Sequence, residues 1–238
     1  MFFFLFNLLN PILIAAAIIP AAFLMYKIYK ADRLEPESPR LLLILAGLGI
    51  LATGAAMILE NIGGALVSRL LGQSAFFEII FYFIVVALSE EGAKYFFLRK
   101  KTWFSDQFNC QFDGVVYAVF VSLGFALAEN VGYVMRYGLG TAVIRAITAI
   151  PGHACFGVFM GAFYGIAKRY DNFGYPEQSR RYSLFSLLIP TLLHGAYDYI
   201  ATRASAGGTI FFIVFVAVMF LVAFKLVHNL SQRDEYIY

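Results

Sequence analysis

Seven ionisable residues of this chain sit in surroundings that are otherwise apolar: Glu90, Glu91, Lys94, Glu129, His153, His194 and Asp198. Placing such a group in a bilayer costs on the order of 3 kcal/mol even on lenient scales, so it normally faces a protein interior or a wet cavity. If they converge, four carboxylates face one lysine, and the excess charge must be relieved by shared protons, charged histidines or a bound cation. A carboxylate that takes a proton from a neighbouring water is a general base. The same glutamates, histidines and aspartate also suffice to ligate one or two divalent ions.

Spacing narrows the roles. Glu90 and Lys94 lie four apart and share one helix face, while Glu91 is rotated by about 100° toward another helix. Glu129 lies one turn past Phe125, on the face of Ser122 and Ala118, with no basic residue three or four positions away in its own helix. Its partner must come from another helix, or it must be protonated. His194 and Asp198 also lie four apart, so the carboxylate can orient the ring or both can bind one ion. His153 heads a stripe of Gly157, Gly161 and Gly165, and small residues at that spacing let membrane helices approach closely. The stripe turns His153 toward protein rather than lipid.

The elements that carry these residues are membrane spans. The 238 residues are 61% hydrophobic and 14% charged, with a mean hydropathy of +0.75, whereas soluble domains carry about 25% charged residues. About 20 apolar residues cross a bilayer as helix. The pattern predicts an all-α, polytopic transmembrane helical bundle with about seven spans, near 4–28, 41–63, 75–98, 113–137, 141–168, 182–202 and 208–229. It forms one domain over 1–238, with a catalytic core at about 75–202. The runs lack the alternation of a barrel. A net charge of +3 gives no nucleic-acid surface.

Thirteen Lys and Arg residues fall in the first, third and fifth connections and the tail, against four on the other side. The positive-inside rule then puts the N-terminus outside and the C-terminus in the cytoplasm. Pro151 and Pro190 adjoin the histidines, and each frees a backbone carbonyl, which suits a hydrated pocket. Cys110 and Cys155 read as small buried hydrophobes without a disulfide or metal partner. Depth is a constraint. At 1.5 Å per residue, Glu90 lies about 13 Å from Arg99 and Glu129 about 24 Å from Asp113. Their meeting requires tilt, the proline breaks, or a fourth span that starts below the headgroups.

Glu-Glu-x-x-Lys at 90–94, Phe-x-x-x-Glu at 125–129, His153, and His-x-x-x-Asp at 194–198 resemble, in order, the four motifs of the PrsW-type intramembrane proteases. Asp113-Gly114-x-x-Tyr117, Gly124-Phe125, Glu129-Asn130 and His194-Gly195 look similar too. These proteases belong to a wider group with the CAAX prenyl endopeptidases and bacteriocin-immunity proteins. The resemblance covers about residues 85–200. It implies a multi-pass protein of the bacterial cell membrane that cleaves a single-pass, anti-sigma-factor-like membrane protein with a glutamate-activated water. Carried onto this chain, Glu90 would be the general base. Glu129 would hold the water or act as acid. His194 with Asp198 would polarise the scissile carbonyl or stabilise its oxyanion. Glu91 and Lys94 would orient or balance charge, His153 would touch water or substrate, and Phe125 and Asn130 would line the substrate path.

No cofactor is expected. The second reading is a metal-dependent peptidase, with a divalent ion such as zinc ligated by Glu90, Glu129, His153 and His194. The third is a proton- or ion-coupled transporter or an immunity module, since intramembrane acids also serve proton relays. Transporters commonly show inverted repeats, and none is visible in the sequence.

Overall fold

Capping residues set the ends of the longest helices. Ser38 accepts the N–H of Leu41, and Pro39 follows at the first helical position, where its missing N–H costs nothing. Ser205 caps the last helix through the N–H of Gly208. Gly138, at φ 82°, stops the central helix with a backbone conformation that a side chain would strain. The computed structural model describes residues 11–72, 74, 76–203 and 205–238. Among these it gives α1 (Pro11–Ala31), α2 (Pro39–Leu71), α3 (Phe77–Ile80), a π-helical turn (Phe81–Ala87), α4 (Leu88–Thr102), α5 (Asp113–Tyr137), α6 (Leu139–Ile147), α7 (Ala149–Asn172), α8 (Pro176–Ala201) and α9 (Ala206–Gln232). The described residues form no strand, only an isolated bridge between Cys110 and Tyr236.

The result is an all-α polytopic bundle. Among the described residues, six helical runs are long and apolar enough to cross a membrane: α1, α2, α5, α6 with α7, α8 and α9. The remaining expected span, 75–98, is present as a helical rod over 77–102 that is divided by the π turn and carries the charged trio. Residues 4–10 of the first expected span lie outside the described residues. The fifth expected span is two helices, because the chain breaks at Thr148 and restarts at Ala149. Pro151 therefore stands in a first helical turn, where no backbone bond is lost, rather than kinking a continuous helix. Pro190 does lie inside α8.

Helix α5 is the axis of the bundle, and its residues 113–126 are all buried. Glycines on two neighbours let their backbones touch it. A Cβ on Gly161 of α7 would stand 2.4 Å from Gly114 O and Val115 Cα, and one on Gly165 would stand 2.2 Å from Gln111 O. On the α2 side, a Cβ on Gly49 would meet Val121 O at 2.0 Å, and one on Gly124 of α5 would meet Ala46 O at 2.1 Å. The stripe after His153 is thus a packing seam, and His153 is buried. Gly161→Val is expected to abolish the folded monodisperse state in detergent, because only backbone could yield. Gly54→Val, where a Cβ meets nothing within 4 Å, should leave the melting temperature within about 2 °C of wild type. Equal behaviour of the two variants would refute the seam.

At the end of the bundle that carries most of the Lys and Arg, the loop 103–112 tucks inward. Phe108 stacks on Tyr164 and packs edge-on against Tyr117. The Tyr117 hydroxyl lies within hydrogen-bond reach of both Gln107 O and the Glu37 carboxylate. The C-terminal residues clamp the loop through Gln111 N–H to Glu235 O and Ile237 N–H to Asn109 O. Cys110 and Cys155 are buried free thiols.

Candidate active site

The π turn immediately precedes the charged trio. Its wider turn inserts a residue relative to an α-helix and so sets the rotation at which Glu90, Glu91 and Lys94 face inward. It packs where Gly195 leaves room: a Cβ there would lie 2.6 Å from the Phe83 ring. The residue beside that contact is His194.

Lys94 is the hub. Its side chain is fully buried, and Nζ lies 2.7 Å from Glu91 Oε1, 3.3 Å from Glu90 Oε2 and 3.1 Å from His153 Nδ1. An ammonium has three donors and no acceptor, so these contacts use all of its hydrogens. The Phe125 ring covers it at 4.0 Å, a cation–π contact. The sequence paired Lys94 with Glu90, but the closer partner is Glu91.

Because Lys94 can only donate, His153 Nδ1 must accept. The proton of the neutral ring is then on Nε2, which donates to Glu129 Oε2 at 3.0 Å. Glu129 also takes Arg145 at 2.9 Å on the same oxygen. Its other oxygen is left for water or a substrate. The partner that Glu129 lacked in its own helix thus comes from two other helices. Asn130, expected on the substrate path, instead donates to Ala17 O and accepts from Arg145 Nε, each within 3.0 Å. It braces α1 and α6 against α5.

His194 donates from Nδ1 to Glu91 Oε1 at 2.9 Å. Its Nε2 faces Asp198 at 3.5 Å and Glu90 at 3.9 Å. Both ring nitrogens point at carboxylates, the arrangement of a doubly donating imidazolium. Phe156 stacks on the ring at 4.6 Å and the two histidine rings stand 5.3 Å apart. Glu91 is sealed, with one oxygen lacking any hydrogen-bond partner among the described residues.

The depth mismatch disappears because α5 starts inside the bundle. Asp113 is fully buried beneath the tucked loop. Thr102 bonds to Tyr164 at 2.9 Å, and Phe108 joins Tyr164 to Tyr117, so these three helices share a level. From it, Glu90, Glu129 and His153 lie eleven or twelve residues away, about 17 to 18 Å along each axis. Of the three routes that could bring them together, the low start of the fourth span is the main one.

Two cavities open onto the cluster. One of about 430 Å³ is walled by Thr53, Met57, Glu60, Glu90, Phe125 and Glu129, among others. The second, about 390 Å³, has Glu90, Glu129, His153, His194, Tyr197 and Asp198 on its wall. Glu90 borders both, whereas Glu91 and Lys94 border neither. Phe125 lies on the first wall.

Glu90, Glu91, His153 and His194 each offer a ligand atom within 4.8 Å of the others. Glu91 thus takes the place of Glu129 in the expected quartet. An ion bound to these atoms would sit about 2 Å from each, in the volume that Lys94 Nζ holds at 2.7–3.3 Å from three of the four groups. An ammonium and a divalent ion exclude each other there by size and by charge. With Lys94 in place, the donor set does not fit a resident metal.

Two residues escaped the sequence reading. Arg145 was counted only for orientation, and Glu60, on the wall of both cavities, was passed over. The signal for both was the one used elsewhere, a charge inside an apolar span. Each stands near a span end, where a charge needs no special explanation.

The chain matches the family described as "PrsW family intramembrane metalloprotease" over residues 37–224. It is 33% identical over 197 residues to "Protease PrsW" of Geobacillus kaustophilus (strain HTA426), covering 82% of each chain. It is 32% identical over 193 residues to the protein of that name from Bacillus subtilis (strain 168), covering 81% of this chain and 84% of the relative. The Clostridioides difficile (strain 630) protein of that name is 31% identical over 226 residues, 93% of this chain and 90% of the relative. No solved structure matches the chain significantly.

Proposed function

The chain belongs to the PrsW family of intramembrane proteases, and on that premise we propose that it hydrolyses a peptide bond of a single-pass membrane protein, anti-sigma-factor-like in kind, with a water activated by Glu90 and no metal. One observation carries the choice of base. Of the two adjacent glutamates, only Glu90 borders the cavities. Glu91 is sealed between Lys94 and His194.

The chemistry follows from the donors. A water held between Glu90 and His194 Nε2, 3.9 Å apart, gives its proton to Glu90 as its oxygen attacks the scissile carbonyl carbon. The oxyanion forms against the Nε2–H of His194, which Glu91 and Asp198 hold in place. Glu90 then returns the proton to the departing amide nitrogen, and the C–N bond breaks. Glu129 aligns water or substrate through its free oxygen. His153 and Lys94 are positioning residues: one orients Glu129, and the other fixes the carboxylates and balances their charge. A substrate helix must unwind before attack, because its carbonyls are hydrogen-bonded, and Gly92, where a Cβ would meet nothing within 4 Å, leaves room for an extended strand.

The test is cleavage of a panel of single-pass membrane proteins in liposomes. Wild type is expected to cut at least one of them, at a rate unchanged within about twofold after chelation and dialysis, with substoichiometric zinc by elemental analysis. Stoichiometric zinc, or activity lost to chelator and restored by metal, would favour the metal-dependent reading. Solute uptake without cleavage would favour a transporter.

A further inference from the structure

Glu60 projects from α2 into the site, and no step of the proposed chemistry uses it. It lines both cavities together with Glu90, Glu129 and Tyr133. Among the described residues it makes no hydrogen bond or ion pair. Asp198 faces the second cavity with only His194 beside it, at 3.5 Å. The positive groups on these walls are Arg145, already bound to Glu129, the His194 imidazolium, and Arg136 at the first cavity, whose guanidinium lies 6.0 Å from the Tyr137 ring. Lys94 is fully buried behind the wall. The space that a substrate must enter is therefore rimmed by carboxylates, one of which has no hydrogen-bond or ion-pair partner among the described residues.

The protein itself shows how this space receives a cation. Arg145 enters it from α6, bonds Glu129 at 2.9 Å and lies over the Tyr133 ring at 4.1 Å. The wall of the same cavity also carries the Glu60 and Asp198 carboxylates and the rings of Tyr82 and Tyr197.

We propose that Glu60 is a specificity-determining residue that, with Asp198 and the surrounding aromatic rings, binds a Lys or Arg side chain of the substrate close to the scissile bond. The proposal rests on the protease reading and names the substrate class of that site. The attraction is long-ranged and poorly screened inside a narrow, half-buried cavity, and the aromatic faces add a cation–π contribution. A basic residue would also be drawn from the membrane surface into the carboxylate rim.

The experiment uses full-length protein in micelles and a cleavable single-pass peptide. Lys, Gln or Glu is placed in turn at each of three positions on either side of the cut. Wild type is expected to prefer Lys over Glu at one position by about tenfold in kcat/KM, carried mainly by KM. Glu60→Gln should shrink that ratio to about twofold, Glu60→Lys should invert it, and Glu60→Asp should retain most of it. No charge preference at any position, or a preference untouched by Glu60→Gln, would overturn the proposal while leaving the protease reading intact. Absence of cleavage of every peptide by wild type would sink both.

Discussion

Glu90→Gln is expected to lower cleavage by about 10³-fold or more while leaving the protein folded. A positioned general base contributes about 10²–10⁴, and here the same group also returns the proton to the leaving nitrogen. Glutamine has nearly the same shape, and its oxygen can still accept from Lys94 at the 3.3 Å contact. The cavity wall and the cluster therefore persist while the basic oxygen is lost. The checks are the initial rate on a purified single-pass substrate and the melting temperature of the variant in the same detergent. Glu91→Gln supplies the contrast. It alters the sealed acceptor shared by Lys94 and His194, so its damage should appear in the melting temperature as well as in the rate. A Glu90→Gln protein that cleaves at wild-type rate would remove Glu90 from the chemistry.

Lys94→Met should be the most destabilising single change in the site. Removing one partner from a buried ion pair costs about 3–5 kcal/mol, because the opposite charge is left without compensation. Lys94 holds two carboxylates and an imidazole at once, and methionine keeps most of the volume but none of the donors. The loss should therefore reflect charge rather than a cavity. A second substitution, Glu91→Gln, removes the most deeply stranded carboxylate and should recover more than half of the lost stability without restoring cleavage. Thermal unfolding of the single and double variants in detergent measures this coupling. Additive effects of the two substitutions would show that Lys94 does not act through Glu91. The single variant has a second readout. With Nζ gone, four donors within 4.8 Å of one another no longer surround an ammonium, and elemental analysis should find more zinc retained by the variant than by the wild type.

Much of the candidate site was legible in the chain because membranes make charge conspicuous. Glu90, Glu91, Lys94, Glu129, His153, His194 and Asp198 are costly in lipid, so finding them inside apolar runs already says that they face one another or water. Helical periodicity gave the same-face pairs, and both recur in the structure: Lys94 with Glu90 at 3.3 Å, and His194 with Asp198 at 3.5 Å. It could not rank Lys94's partners, because that depends on which carboxylate also meets His194 from α8. The resemblance implied a substrate contact for Asn130, which adjoins Glu129. Adjacent residues on a helix diverge by about 100°, and this one turns to α1 and Arg145 instead.

The sequence by itself determined an all-α membrane bundle, the spans that cross it, and the identity of nearly every residue in the cluster. Apolar length, helix periodicity and the cost of charge are local properties that any window of the chain displays. The tertiary structure decided depth, partnership and access. The buried start of α5 levels Glu90 with Glu129, a π turn sets the rotation of α4, and Lys94 stands against three of the four groups that could hold a metal. The structure also leaves Glu90 at the cavity wall and Glu91 sealed behind it. Each of these depends on how separate helices pack in three dimensions, and backbone contacts at Gly49, Gly124, Gly161 and Gly165 fix that packing to within ångströms.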